Sequence, residues 1–193
     1  MEYLDRMRHI ACRLPLNKFV GAHDGLYALG SYPGPSSDDG LEWSFTTQPN
    51  ANIAETFAEA LADGGAALLA GRFLHKIEKS DRNPWKGRLS VGRAKNSDVI
   101  IRHPSVSKLH AHFLTAPGAD PRKANEYAIA LADAGSRNGT RLNGQELVDD
   151  AEHPVRPGDR IIFGEVTCEV LDPVALYHKM RALFPTDDLS PMG

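Results

Sequence analysis

Gly92-Arg93, Ser105-Val106-Ser107-Lys108-Leu109-His110, Asp133-Ala134-Gly135-Ser136-Arg137-Asn138-Gly139-Thr140 and Asn143-Gly144 follow one another between Val91 and Gly144. They are polar, turn-forming pieces set among short apolar runs, and those runs decide the fold. Leu89-Ser90-Val91 leads into Gly92, and Val99-Ile100-Ile101 is a continuous apolar stretch suited to a buried strand. His110 to Leu114 follows, and Tyr127, Ile129 and Leu131 then alternate on one face. Arg141-Leu142 and Glu146-Leu147 flank Asn143-Gly144, the strongest short-range hairpin signal. Arg160 to Phe163 and Val166, Cys168, Val170 close the series across a turn at Gly164-Glu165. Short strands at even spacing with Gly, Asn and Pro turns predict a mainly β chain folded as a sandwich of antiparallel sheets. No β–α–β alternation is visible, so a parallel sheet is not expected.

Upstream, Phe73, His75 and Ile77 alternate with Leu74, Lys76 and Glu78 as in a further strand. Leu4, Met7, Ala11 and Leu14 predict a helix over residues 1–14. Residues 15–50 read as irregular, with Tyr32-Pro33-Gly34-Pro35-Ser36-Ser37 as the clearest loop and a short strand at Leu41 to Thr46. Asn52 followed by Glu55 marks a second helix that carries Ile53, Phe57 and Leu61 and stops at Gly64-Gly65. Downstream, Asp172-Pro173 opens a last helix with Tyr177, Met180, Leu183 and Phe184 on one face, ended by Pro185. The expected division is an N-terminal extension of no recognised type at 1–70, a sandwich at 71–172, a C-terminal helix at 173–185 and a flexible acidic tail at 186–193.

The 193 residues are 41% hydrophobic and 24% charged, with a formal net charge of −3. Those are globular proportions, and the charge argues against bulk attraction to nucleic acid, so any anion site must be a local basic cluster. Cys12 and Cys168 form neither a disulfide framework nor a metal spacing, which points to a reducing compartment. The acidic start and the absence of a long apolar run predict neither a leader nor a membrane span, and the expected location is cytoplasmic.

The ordered motifs resemble the forkhead-associated (FHA) domain, over about half of the chain at roughly residues 71–172. They are glycine-arginine at Gly92-Arg93, serine-x-x-histidine from Ser107 to His110, asparagine-glycine-threonine from Asn138 to Thr140, and asparagine-glycine at Asn143-Gly144. Asp98-Val99, Asp133, Ser136, Gly158-Asp159-Arg160-Ile161 and Gly164 also fit. The resemblance implies an FHA-type β-sandwich that binds phosphothreonine on a partner protein. A phosphothreonine carries about −1.5 to −2 charges and three acceptor oxygens, so its site needs a fixed cation, neutral donors and a rigid platform. By resemblance Arg93 supplies the guanidinium, Ser107 a hydroxyl, Lys108 further charge, Arg137 another phosphate-facing side chain, and Asn138 an amide for the peptide backbone.

Lys108 and Arg137 are equally readable as exposed basic side chains that face only water, and lysine at 108 replaces an arginine common in the family. Gly92, Ser105, His110, Gly139, Thr140 and Asn143 read as supports: His110 holding the Ser107 loop, the others shaping turns. His110 and His112 share a face, but no third ligand has metal-site spacing, so no metal or cofactor is expected. Around 103–105 and 134–135 lie the loops that the resemblance assigns to the third position after the phosphothreonine. The leading function is a non-enzymatic adaptor whose partner is a phosphothreonine protein, a Ser/Thr kinase or its substrate. The alternative is a phosphate-independent assembly protein that uses the same scaffold and its N-terminal region. Thr186, with Leu189 three places on, is a candidate self-binding phosphosite.

Overall fold

The computed structural model describes residues 2–33, 71–85, 87–115, 129–148 and 150–183. Its helices are α1 (Glu2–Arg13), α2 (Leu16–Ala22) and α3 (Pro173–Leu183). The strands are β1 (Leu26–Ser31), β2 (Arg72–Ile77), β3 (Arg88–Gly92), β4 (Val99–Ile100), β5 (Ala111–Thr115), β6 (Ile129–Asp133), β7 (Thr140–Leu142), β8 (Gln145–Glu146), β9 (His153–Val155), β10 (Arg160–Phe163) and β11 (Val166–Leu171). They form two sheets, in the orders β2-β1-β11-β10-β7-β8 and β4-β3-β5-β6-β9. The recorded pairings are antiparallel except β3 with β4, a two-residue parallel contact that pairs Val91 with Val99.

The sandwich, the hairpin at Asn143-Gly144 and the turn at Gly164-Glu165 are where the period-two runs place them. Asn143 and Gly144 have φ of 52° and 87°, the left-handed pair that a two-residue hairpin requires. The inner faces bury Val91, Ile101, Val106, Phe113, Leu131, Ile161, Phe163, Val166 and Val170 in one core. A large side chain deleted from such a close-packed interior costs about 3–5 kcal/mol.

Residues 15–33, expected to be irregular, instead form α2 and β1, and β1 sits in the middle of a sheet between β2 and β11. The period-two signal fails there because β1 is buried on both faces, so apolar residues do not alternate with polar ones. Gly30 within it is required by packing: an added Cβ would lie 2.1 Å from the Phe73 ring. The outer face of that sheet is covered by the helices. Leu4, Met7 and Ala11 of α1, Phe19 of α2 and Leu176, Tyr177 and Met180 of α3 form a second core with Tyr27, Leu29, Leu74 and Leu171. Asp172 caps α3 by accepting from the Ala175 N–H at 2.7 Å, as its sequence position suggests. The strand expected at 41–46, the helix expected at 52–65, Tyr127, Phe184 and the tail with Thr186 lie outside the described residues.

One buried carboxylate ties the β2–β3 loop to the second sheet. Asp98 accepts from Ser80 N at 2.8 Å, Ser80 Oγ at 2.9 Å, Ser90 N at 2.7 Å, Ser90 Oγ at 3.0 Å, Lys79 Nζ at 3.2 Å and the Asn83 amide. Burial alone would raise its pKa, but the bonds from Asn83, Ser80 and Ser90 outweigh it and hold the carboxyl well below the usual range. Asp98→Ala leaves these donors unsatisfied and is expected to lower the unfolding free energy by about 3 kcal/mol in urea denaturation. With the folded pKa depressed, the carboxylate's contribution is complete above its unfolded value near about 4 and drains as pH falls through the folded value. The acid limb of the stability curve should therefore be shallower in Asp98→Asn than in the parent chain.

Candidate functional site

Three loops meet at one end of the second sheet. Arg93 leaves β3 directly after Gly92, and a Cβ at Gly92 would stand 2.2 Å from the Lys108 carbonyl oxygen. Only glycine lets the strand end touch the 105–109 loop this closely. The contact is then locked by backbone bonds from Arg93 N to Ser107 O at 3.0 Å, Ala94 N to Lys108 O at 3.2 Å and His110 N to Val91 O at 2.8 Å. Arg93 and Ser107 thus lie side by side although 14 positions apart in sequence (107 − 93).

The 134–139 loop joins from the other side. The Arg137 N–H donates to Ser107 Oγ at 3.1 Å, which leaves the hydroxyl hydrogen for an acceptor in front of the loop. Asn138 Nδ2 donates to the Ser105 carbonyl at 2.7 Å, so one of its two amide hydrogens is already used in holding the platform. Ser105 Oγ accepts from Glu165 N at 3.0 Å and bonds His103 Nδ1 at 2.7 Å. Gly164, with φ of 62°, brings the neighbouring turn so near that a Cβ would lie 2.6 Å from Ser105 O.

His110 links the loops from beneath. It is fully buried. Its Nδ1 accepts from Ser107 N at 2.9 Å and its Nε2 faces Gly139 O at 3.1 Å. Those two partners specify a neutral ring with its hydrogen on Nε2. Burial lowers its pKa against the opposing pull of the Gly139 carbonyl and Asp133. Asp133, also buried, accepts from Ser136 N at 2.7 Å, Ser136 Oγ at 2.8 Å and the Thr140 hydroxyl. Burial pushes that carboxyl up, but the Thr140 and Ser136 bonds prevail and hold it low.

Of the residues singled out in the sequence, Arg93, Lys108, Arg137 and Asn138 are exposed and Ser107 half-buried around one surface. Among the described residues, no carboxylate lies within ion-pair reach of Arg93, Lys108 or Arg137. Gly92, Ser105, His110, Gly139 and Thr140 lie beneath or beside that surface. Asn143 stands apart: it bonds Arg160 N through Oδ1 and Asp159 Oδ1 through Nδ2, both at 2.9 Å, and so braces β10 rather than the loops. Glu165, whose N–H orients Ser105, carried no sequence signal because a backbone donor leaves no residue-type preference. Three unpaired cations, a free hydroxyl hydrogen and an exposed amide on a braced platform suit a small, multiply charged anion attached to an extended chain.

A histidine with a lowered folded pKa favours the folded state fully above its unfolded pKa of about 6.5, and that contribution declines as pH falls below it. The unfolding free energy is therefore expected to drop on acidification below about pH 6.5, with a smaller slope in His110→Ala. Urea titrations of both chains between neutral and mildly acidic pH check this.

Residues 89–164 match the family model described as FHA domain. The DNA damage response protein kinase DUN1 of Saccharomyces cerevisiae is 37% identical over 97 residues, which cover 50% of this chain and 17% of that protein's length. The yeast Dun1 FHA domain, solved with a doubly phosphorylated phosphothreonine peptide from Rad53, is 20% identical with a TM-score of 0.44, covering 77% of this chain and 75% of that one. The N-terminal FHA domain of S. cerevisiae Rad53p, solved with a phosphothreonine peptide, is 18% identical with a TM-score of 0.39 over 52% of this chain and 84% of that one. With its motifs in family order and a matching domain model across them, this chain carries an FHA domain at residues 89–164.

Proposed function

We propose that the chain binds a phosphothreonine segment of a partner protein and serves as a non-enzymatic adaptor in Ser/Thr kinase signalling. The observation that carries this reading is the uncompensated basic surface around Ser107, in a chain whose net charge is −3. Arg93 gives the fixed guanidinium, the Ser107 hydroxyl donates to a phosphate oxygen, and Lys108 adds a point charge. Arg137 adds another phosphate-facing side chain, and the remaining polar groups of Asn138 face the peptide chain. The match of residues 89–164 to the FHA domain model supports the ligand class.

The partner class is a kinase of this type or one of its substrates. Free thiols at Cys12 and Cys168 accord with a reducing, cytoplasmic setting, and among the described residues no helix is long and apolar enough to cross a membrane. We read residues 2–33, the sandwich and α3 as one unit, since β1 and the three helices complete the first sheet. The apolar faces of α1, α2 and α3 are spent on that packing. Those faces are therefore not open to a partner in the phosphate-independent assembly reading, which rests on the scaffold and the N-terminal region.

Fluorescence anisotropy with a phosphothreonine peptide and its unphosphorylated twin tests the proposal. Arg93→Ala is expected to weaken phosphopeptide binding at least about 30-fold, and Ser107→Ala about tenfold. Lys108→Ala should act chiefly by reducing the salt dependence of binding, as expected of an exposed point charge. Equal affinity for the two peptides, or indifference to Arg93→Ala, would refute it.

A further inference from the structure

Trp85 stands in the β2–β3 loop with 57% of its surface exposed, unusual for so large an apolar ring in a place where it completes no core. With Pro84, Ala94, Asn96, Lys108 and Leu109 it lines a cavity of about 320 Å³. The slot is held in shape from below. The Trp85 N–H donates to Asn83 Oδ1 at 3.0 Å, and the buried Asn83 bonds Ser90 Oγ at 3.0 Å and the Asp98 carboxylate. The carboxylate hub that anchors the β2–β3 loop therefore also fixes the backbone from which Trp85 projects.

The slot runs on from the anion surface, because Lys108 and Ala94 belong to both. Backbone and side-chain bonds give the order across that surface. Asn138 binds residue 105, Arg137 and Arg93 both bind residue 107, and Ala94 binds residue 108. Beyond Ala94 and Lys108 comes the slot, on the side of Ser107 opposite to Asn138. For an extended segment with its phosphate at Ser107 and its backbone at Asn138, the slot comes next along this series when the segment continues the other way. A rigid exposed aromatic in a partly enclosed apolar notch is the kind of group that dominates binding energy when a partner side chain covers it.

We propose that this slot takes one large apolar side chain, Leu, Met or Phe in character, from the same phosphothreonine segment, on the flank away from Asn138. The inference rests on the phosphothreonine reading above. It makes Trp85 a specificity-determining residue and Leu109 and the Lys108 stem its walls.

The test uses the full chain and a set of fluorescent phosphothreonine peptides in which one flanking position at a time is Ala, Asp, Leu or Phe. Leu or Phe at one position, on one side of the phosphothreonine only, is expected to bind about tenfold more tightly than Ala. In Trp85→Ala that gain should fall below twofold, and Trp85→Phe should restore part of it. A flat profile in the parent chain, with phosphate dependence intact, overturns the slot while leaving the phosphate reading standing. A profile that survives Trp85→Ala overturns it as well. Loss of phosphate dependence itself would instead strike the underlying reading, and the unphosphorylated set separates the two failures.

Discussion

A neutral, buried imidazole governs the platform that the loops form. His110 accepts from the Ser107 backbone on one nitrogen and meets the Gly139 carbonyl on the other, so one ring sets the spacing of two loops. The loops are mostly polar, with Val106 set in the core, and each alone would sample many states. Tied to a ring that is itself locked in the core against Phe163, with centroids 5.8 Å apart, they become a single platform. The Ser107 hydroxyl accepts from Arg137 N and keeps its hydrogen available to donate. Preorganisation of this kind lowers the ordering cost that a flexible site would meet on binding.

Two carboxylates extend the same logic outward. Asp133 gathers the 134–140 loop through neutral donors, and Asp98 gathers the β2–β3 loop through neutral donors and the Lys79 ammonium at 3.2 Å, both carboxylates being buried. Desolvation acts against both, and hydrogen bonds to the ionised form outweigh it. The result is a division of charge: negative charge is sequestered under the loops, while Arg93, Lys108 and Arg137 stay in front with no carboxylate in ion-pair reach among the described residues. A chain that is acidic overall can in this way present a locally basic face.

The helical layer has a different task. Tyr27, Leu29, Leu74 and Leu171 make the outer face of the first sheet apolar, and α1, α2 and α3 cover it. A sheet buried on both faces resists the bending that would shift β10, β11 and the Gly164 turn, and that turn braces Ser105. The helices thus stand far from the anion surface in role, yet the stiffness of the platform depends on the layer that they complete.

Much of this was legible in the amino-acid order, since the signals were local. Turn chemistry at Asn143-Gly144 and period-two runs from Phe73 to Val170 identify the sandwich, and the spacing of Gly92-Arg93, Ser107 to His110 and Asn138 to Thr140 marks the loops that the fold brings together. The Asp172 cap and the α1 stripe were equally plain. What the order of residues left open depends on neighbours distant in sequence. β1 lacks alternation because both of its faces are covered, and α2 is only seven residues long, too short for a periodic pattern. Trp85 reads as a loop residue until Asn83 and Asp98 set it beside Lys108. Local propensity and turn geometry are written in consecutive residues, whereas burial on two faces and convergence of separate loops exist only once the chain has closed on itself.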